Sequence, residues 1–357
     1  MNSLLEMKNL QVSFFTDLGE AQAVKDASFK IEKGDFFGIV GESGSGKSVS
    51  TKTILRLGPS NCKVKGGEIL FEGKDILKFT TNELREIRGK EIAMIFQDSL
   101  SALNPVYTVG SKMMELIRRN SKVTKAEAKK RAIELLTAVG ITDAEKSMRS
   151  YPHELSGGMR QRVMIAMAMS SNPKVLIADE PTTALDVTIQ AQILHLLLEL
   201  QKKNQMSIIL ITHDLGVVAQ TCRRVAVMCG GYVVEEGSVE EIFLNPQHPY
   251  TQALIASMPK VGGGTFEQFL ERDLSDHNAD LCPFLNRCKY ANVDCEYVLP
   301  QNVEVSDRHV VRCHRCMRQM SNGGMDAGQS MQNPDNVTAE NVSSEIRRME
   351  NGEGEEA

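Results

Sequence analysis

The chain has 357 residues, of which 41% are hydrophobic and 24% charged, the ordinary composition of a soluble globular protein. The formal net charge of −5 produces no overall field that would favour nucleic acid. The N-terminal stretch MNSLLEMKNL lacks a basic segment followed by an apolar run, and the apolar stretches are too short to span a bilayer. We therefore expect neither a signal peptide nor a transmembrane helix.

The first part of the chain predicts β-structure. Residues 1–35 alternate polar and apolar residues in short pieces such as LQVSFF and VKDASFKIEKG. FFGIV at 36–40 is a short apolar run that ends at Gly41. This pattern is typical of a buried strand that leads into a turn.

A phosphate-binding loop follows this strand. GESGSGKS at 41–48 fits the pattern G-x-x-x-x-G-K-[ST] and precedes a helical pattern. The glycines let backbone N–H groups turn inward around a phosphate, and the following helix adds the positive end of its dipole. Lys47 can reach the β- and γ-phosphates, and the Ser48 hydroxyl can ligate Mg²⁺. We expect nucleotide contacts from Gly41, Ser43, Gly44, Ser45, Gly46, Lys47, Ser48 and Val49.

The pattern is helical from about residue 80 to residue 172. It includes TNELREIRG, VGSKMMELIRRN and TKAEAKKRAIELLTAVG, each with apolar residues three and four apart. ELSGGMRQR at 154–162 then places Ser156, Gly157 and Gly158 ahead of another helical run. Small residues at a helix N-terminus form an anion-binding nest, although they also suit a simple helix cap.

Two further buried strands are predicted, VLIA at 175–178 and SIILIT at 207–212, with the helix TIQAQILHLLLELQKK between them. The first strand ends in Asp179 and Glu180. We expect Asp179 to hold Mg²⁺ and Glu180 to orient or deprotonate the attacking water. Strands that alternate with helices indicate an α/β fold with a mostly parallel sheet covered on both faces.

A last β pair, RVAVM and GYVVEEG, turns at Gly230-Gly231, and a cysteine-rich region follows it. Five of the eight cysteines lie between 282 and 316, and Cys282, Cys288, Cys295 and Cys313 read C-x5-C-x6-C-x17-C. In the reducing cytosol such a group indicates metal binding or redox chemistry rather than disulfides. Four thiolates can hold zinc or anchor an iron–sulfur cluster, and the wide spacing suits the cluster better. Cys316 can replace Cys313 in either set.

The end of the chain predicts disorder. Residues 317–357 contain no aromatic residue, eight acidic and three basic residues, and many Gly, Ser and Asn. Such a segment cannot bury enough apolar surface to fold.

Together, these motifs resemble the ABC ATPases, whose signature is LSGGM followed by RQR and then a carboxylate-ended strand. The resemblance implies a P-loop NTPase ABC cassette with a RecA-like parallel sheet, an antiparallel β subdomain and a helical subdomain at about 99–172. In that family the signature of one subunit closes over nucleotide on the phosphate loop of another. The protein should therefore work as a dimer, and Ser156, Gly157 and Gly158 should contact the partner's nucleotide.

The same resemblance implies further site residues. Gln97 in MIFQD matches the residue that senses the γ-phosphate and Mg²⁺, and His213 in ITHD matches a histidine that contacts the γ-phosphate. Asp186 in TALD matches a loop that crosses the dimer interface. Phe14 in VSFF matches the aromatic residue that stacks on adenine, with Phe15 as the alternative. The residues expected to act in hydrolysis are Lys47, Gln97, Glu180 and His213.

Two segments narrow the resemblance. QDSLSALNPVYTVG at 97–110 and NPQHPYTQALIASMP at 245–259 are similar to segments of ATPases from peptide and nickel importers. The resemblance implies an ATP hydrolase at the cytoplasmic face of the cell membrane that powers import of oligopeptides or dipeptides. Its partners would be two transmembrane permeases, an extracytoplasmic substrate-binding protein and a second ATPase subunit, either a paralogue or another copy.

The expected domains are an ABC ATPase domain at 1–259, an extension at 260–316 and a tail at 317–357. The CPF…RC…C…C pattern resembles the extension of oligopeptide and dipeptide importer ATPases, with which a [4Fe-4S] cluster is associated; zinc is the alternative. An importer of nickel or another small solute stays open, but the cysteine extension favours peptides. A soluble ABC ATPase that acts on nucleic acid is disfavoured by the single cassette and the acidic balance. A sensing role of the extension, for iron or redox state, is compatible with import.

Overall fold

The structure is a computed structural model that describes residues 3–98, 102–183, 185–257 and 281–321. Within these residues, twelve strands join one sheet. The strands are β1 Leu5–Thr16, β2 Gly19–Ile31, β3 Phe36–Val40, β4 Cys62–Phe71, β5 Lys74–Asp75, β6 Ile92–Ile95, β7 Val175–Asp179, β8 Ser207–Ile211, β9 Arg224–Cys229, β10 Tyr232–Ser238, β11 Asn302–Ser306 and β12 His309–Arg312.

The α-helices of the described residues are α1 Lys47–Ile54, α2 Thr81–Ile87, α3 Val109–Asn120, α4 Lys125–Ala138, α5 Ala144–Ser147, α6 Gly157–Ala168, α7 Val187–Asn204, α8 Leu215–Thr221, α9 Val239–Leu244, α10 Pro249–Ala256, α11 Val293–Tyr297 and α12 His314–Ser321. Short 3₁₀ turns lie at Ile76–Lys78, Pro152–Glu154, Met169–Ser171 and Leu285–Arg287. None of the described helices has the length and apolar character needed to cross a membrane.

The centre of the sheet is parallel, as predicted. Its strands run in the order β9-β3-β8-β7-β6, each parallel to its neighbour. Every residue of β3, β7 and β8 is buried. One face of these strands packs mainly against helices, and the other packs against the antiparallel strands β1, β2 and β4 together with α1 and α2. The carboxyl ends of these strands therefore meet along one edge, where a ligand site of an α/β sheet is expected.

The rest of the sheet is mainly antiparallel. The β1–β2 entry pairs with β4 and β5, and β2 reaches the central strands through β10. The β9–β10 hairpin turns at Gly230 and Gly231, both with positive φ, as the glycine pair predicts. The predicted antiparallel β region and final β pair are confirmed.

The helical prediction for 80–172 was wrong at one place, because it contains β6, Ile92–Ile95. This apolar run is only four residues long and pairs with β7, so its helical or extended character could not be read from periodicity. Four helices, α3 to α6, do fill most of the predicted helical subdomain. Its first residues, 99–101, lie outside the described residues.

The cysteine region is joined to the main sheet rather than set apart from it. Strand β12 pairs with β10 through Val311 opposite Glu235, and β11 pairs with β12. Phe284 packs in the same hydrophobic core as the central strands. Helix α12 continues to Ser321, past the start predicted for the tail at 317. Residues 260–280 of the predicted extension and 322–357 of the tail lie outside the described residues.

Candidate functional site

The predicted phosphate loop lies between β3 and α1, and its shape requires glycine. A Cβ on Gly41, whose φ is 150°, would lie 2.1 Å from the carbonyl oxygen of Met228. A Cβ on Gly46, with φ of 100°, would lie 2.7 Å from the carbonyl oxygen of Ala23. The loop therefore passes between the end of β9 and the middle of β2. The buried Ser45 hydroxyl has no hydrogen-bond partner in the described part of the chain.

Lys47 is folded over its own loop. Its Nζ donates to the carbonyl oxygens of Gly41 at 2.7 Å and Glu42 at 2.8 Å. Burial lowers the pKa of the Lys47 ammonium, and nearby Glu180 and Asp179 oppose that shift. The cation therefore lies where a phosphate bound by the loop can replace the carbonyl oxygens as its partner.

Ser48 and Asp179, the two predicted Mg²⁺ ligands, are in contact. The Ser48 hydroxyl donates to Asp179 Oδ1 at 2.6 Å, and Asp179 is completely buried. Hard oxygen ligands of this kind fit Mg²⁺. Lys52 Nζ lies 3.2 Å from Asp179 Oδ2, a partner that the sequence reasoning missed. Its position one helical turn after Ser48 was the available signal.

Three predicted residues, Gln97, Glu180 and His213, lie together around the Glu180 carboxylate. Gln97 Nε2 donates to Glu180 Oε2 at 2.8 Å, and His213 Nδ1 lies 3.6 Å from Oε1. The three residues follow β6, β7 and β8, which are adjacent and parallel, so their side chains converge at one edge. Thr183 was not predicted; its hydroxyl also donates to Glu180 at 2.9 Å. Glu180 has a left-handed backbone with φ of 46°, a conformation that costs free energy in a non-glycine residue.

The predicted signature lies beside the predicted interface loop rather than beside the phosphate loop. Ser156 caps α6 by accepting a hydrogen bond from the N–H of Met159, and Asp186 caps α7 in the same way through Ile189. A Cβ on Gly158 would lie 2.9 Å from Ile189 Cγ2, so the two helix starts are in contact. In the described part of the chain, no hydrogen bond or ion pair joins Ser156, Gly157 or Gly158 to the phosphate loop.

The aromatic candidates lie at the far side of the loop. Phe14 is half-buried and pairs across the sheet with Ala21, two residues from Ala23, which approaches Gly46. The more exposed ring of Phe15 lies under two ammonium groups, 5.1 Å from Lys63 Nζ and 5.5 Å from Lys65 Nζ. Phe15 therefore has cation contacts already, which leaves Phe14 as the better candidate for adenine.

The four cysteines of the predicted cluster surround one cavity. It is lined by Cys282, Cys288, Cys295 and Cys313, together with side chains that include His248 and Tyr290. All eight cysteines of the chain are thiols in the structure. Over the described ranges, no group of three or more His, Cys, Asp or Glu side chains is spaced to hold a single metal ion.

The environments of these thiols differ. Burial raises the pKa of Cys282 to about 12. The pKa of Cys313 is lowered to about 7, chiefly by its hydrogen bond with Cys316. Cys316 is buried and is not among the residues that line the cavity. Of the two alternatives left by the sequence, Cys313 is therefore the one that faces the other three.

Two further residues reach the phosphate loop from the C-terminal part of the chain. Arg287 forms a bidentate ion pair with the Glu42 carboxylate, and the Tyr250 hydroxyl accepts a hydrogen bond from the Glu42 N–H. The sequence reasoning missed both. Tyr250 lies in the NPQHPY segment, for which the sequence indicates only a resemblance to peptide and nickel importer ATPases. No local pattern connects Tyr250 or Arg287 with position 42.

Comparison with known proteins gives two family matches. Residues 24–183 match the family described as ABC transporter, and residues 234–295 match the C-terminal region of oligopeptide/dipeptide transporters. The oligopeptide transport ATP-binding protein OppD of Bacillus subtilis is 51% identical over 315 residues, 87% of this chain and 88% of that protein. The dipeptide transport ATP-binding protein DppD of Bacillus subtilis is 48% identical, over 88% of this chain and 95% of that protein.

Solved structures have the same fold. The dimeric ABC transporter cassette MJ0796 has a TM-score of 0.59 and 30% identity, over 66% of this chain and 98% of that one. A second structure of that cassette is a dimeric post-hydrolysis state bound to ADP and Pi. The protein cbiO1 from Clostridium perfringens, part of the ABC transporter complex cbiONQ, has a TM-score of 0.58 and 31% identity, over 69% of this chain and 92% of that one.

Proposed function

The chain belongs to the ABC transporter family, in its oligopeptide and dipeptide branch, and we propose that it hydrolyses ATP to power the import of peptides across the cytoplasmic membrane. The observation that carries the proposal is its 51% identity with an oligopeptide transport ATP-binding protein over 88% of that protein's length. The match to the C-terminal region of peptide transporters supports peptides over nickel or another small solute.

The converging side chains suit phosphoryl transfer. Lys47 and the loop N–H groups would bind the β- and γ-phosphates, with Ser48 and Asp179 holding Mg²⁺. Bound Mg²⁺ neutralises charge on the phosphates. Glu180 would orient or deprotonate the attacking water, while Gln97 and His213 hold the Glu180 carboxylate and respond to the γ-phosphate.

This arrangement supports a second ATPase subunit as partner. The signature residues Ser156, Gly157 and Gly158, with Asp186 beside them, start helices that lie apart from the chain's own phosphate loop. We propose that they complete the nucleotide site of a partner, either a paralogue or a second copy. Phe14 would stack on adenine.

The remaining partners follow from the family. We propose that the dimer works with two transmembrane permeases and receives peptide through an extracytoplasmic substrate-binding protein. The chain would then act as a peripheral protein at the cytoplasmic face of the membrane, without nucleic acid.

We also propose that Cys282, Cys288, Cys295 and Cys313 hold a [4Fe-4S] cluster. Four thiols around one cavity match the ligand set of such a cluster. Iron would also stabilise the thiolate of Cys282, which burial alone disfavours.

Transport by the complete importer tests the main proposal. Glu180→Gln removes the carboxylate charge with little change of shape. We expect the variant to bind ATP and to lose at least about 100-fold in ATP hydrolysis, with loss of peptide uptake into vesicles. The matched control is Glu240→Gln, the same chemical change at an exposed side chain of helix α9. Peptide uptake by the Glu180→Gln importer at the normal rate would contradict the proposal. Uptake of nickel instead of peptide by the unaltered importer would contradict the assignment of peptide as the transported substrate.

A further inference from the structure

The segment that carries two of the cavity cysteines also touches the phosphate loop. Arg287 Nη1 lies 2.9 Å from Glu42 Oε1, and Arg287 Nη2 lies 3.0 Å from Glu42 Oε2. This is the parallel two-bond geometry that makes an arginine–carboxylate pair directional. Glu42 is the second residue of the loop, and Arg287 lies 245 positions away, next to Cys288.

Tyr250 makes a second contact with the same loop residue. Its hydroxyl accepts the backbone N–H of Glu42 at 2.9 Å, and only 1% of the Tyr250 side chain is exposed. The Tyr250 ring meets Phe284 edge-on, at 5.5 Å between centroids. The Arg287 guanidinium lies over the same Phe284 ring, 5.1 Å from the ring centre. One aromatic side chain thus holds both groups that contact Glu42.

Glu42 is also connected to Lys47, the cation of the phosphate loop. Its carbonyl oxygen accepts a hydrogen bond from Lys47 Nζ, while its N–H is held by Tyr250 and its carboxylate by Arg287. The Glu42 N–H belongs to the same peptide group as the Gly41 carbonyl, which also accepts a hydrogen bond from Lys47 Nζ. Both backbone acceptors of Lys47 are therefore part of the segment that Tyr250 and Arg287 hold. A change at Tyr250 or Arg287 would alter how that segment is held without removing any group expected to touch phosphate.

The cysteine segment braces the loop by a second route. A Cβ on Gly230 would lie 2.4 Å from Pro283 Cβ, so Pro283 packs directly on the β9–β10 turn. In that turn the N–H of Gly231 donates to the carbonyl oxygen of Ser45 at 3.0 Å. Two positions of the phosphate loop, Glu42 and Ser45, are thus contacted, directly or through this turn, by residues 283–287.

We propose that Tyr250 and Arg287 are positioning residues that hold the phosphate loop, and through it Lys47, in the conformation that accepts ATP. The proposal rests on the proposed function only in taking this loop to bind ATP. It gives the C-terminal region a role in nucleotide binding that acts through its contacts with Glu42.

Nucleotide binding by the purified full-length chain tests this proposal without peptide or permeases. Arg287→Ala removes a partly exposed ion pair, so we expect the Kd and KM for ATP to rise about two- to fivefold, with kcat changed less. Tyr250→Phe keeps the ring but leaves the Glu42 N–H without its acceptor, and we expect about a five- to tenfold rise. Arg308→Ala is the matched control. Arg308 also lies in the C-terminal region, but it pairs with Glu32, which is outside the phosphate loop, so the substitution should change neither constant.

A double-mutant cycle with Glu42→Ala separates a direct contact from general damage. If Arg287 acts through Glu42, the effect of Arg287→Ala should disappear in the Glu42→Ala background. Iron content of each variant is measured in parallel. Additive effects, unchanged Kd in both Arg287→Ala and Tyr250→Phe, or a loss of affinity that follows loss of iron would each overturn the proposal. Because ATP binding and hydrolysis are measured without permeases or peptide, failure here differs from failure of peptide transport.

Discussion

Gly41 and Gly44 show how single residues of one loop carry different constraints. Both have positive φ, but only Gly41 is crowded, since its added Cβ would lie 2.1 Å from a carbonyl oxygen of the neighbouring strand. Around Gly44 nothing lies within 4 Å of the added atom. The motif pattern requires glycine at position 41 but allows any residue at position 44. The structure gives the reason, because Met228, which is distant in sequence, crowds only Gly41.

Alanine substitution should reveal this difference. Gly44→Ala places an alanine in the left-handed region without a clash, and we expect a loss of about 1 kcal/mol in the free energy of unfolding. Gly41→Ala adds a backbone clash, and we expect a loss of at least about 3 kcal/mol together with loss of ATP binding. Denaturant unfolding measures both, and equal losses for the two variants would contradict the assignment of the clash to Gly41.

At the scale of elements, the C-terminal hairpin and the cysteine segment are joined to the cassette. Strand β12 extends the sheet next to β10, and Arg312 pairs with Asp26 of β2 at 2.6 Å. The buried His309 contacts Glu235 of β10 at 2.8 Å. These contacts hold the cavity cysteines beside the phosphate loop, so the metal content of the cysteine segment should affect the stability of that region.

Metal analysis of anaerobically purified protein tests the cysteine set. We expect about four irons and four acid-labile sulfides per chain. Cys282→Ser should lower both contents and destabilise the region, because a ligand is lost. Cys62→Ser is the control, since Cys62 lies in β4 away from the cavity and should leave both contents unchanged. One zinc per chain without sulfide would contradict the cluster and support the zinc alternative.

At the scale of the whole molecule, the residues predicted to bind nucleotide form two groups, and no hydrogen bond or ion pair among the described residues joins them. The phosphate loop, Asp179 and Glu180 lie at the edge of the parallel sheet, while Ser156 and Asp186 start helices α6 and α7 beside each other. A solved relative of the same fold is dimeric. Pairing of two subunits is the arrangement that would give each site both groups.

Pairing of the two ATPase subunits should therefore depend on ATP. In the Glu180→Gln chain, bound ATP persists, and we expect light scattering to show a doubled mass with Mg²⁺ and ATP but not without them. Lys47→Ala should prevent the change, since Lys47 is expected to hold the phosphates. If the partner is a paralogue, the doubled mass requires the second ATPase of the transporter. If the mass of one subunit persists with Mg²⁺ and ATP, both for the chain alone and for the chain mixed with the second ATPase, the shared site is contradicted.

Much of this protein could be predicted from local patterns. The buried strands at 36–40, 175–178 and 207–212, the hairpin at Gly230-Gly231 and most helices are found where periodicity placed them. The phosphate loop and the two carboxylates at the end of β7 were also predictable, because phosphate binding demands particular residue types at fixed local spacing. β6 was missed because four apolar residues are too few to show a period.

Tertiary structure alone decided how distant parts meet. Strand order brings Gln97, Glu180 and His213 together, and sheet pairing carries the cysteine region back to the loop that begins at Gly41. No spacing rule connects Arg287 or Tyr250 with Glu42, because contacts between distant segments depend on how the strands are ordered and packed. The sequence by itself thus determined the chemistry available to this protein, and the fold determined which residues position it.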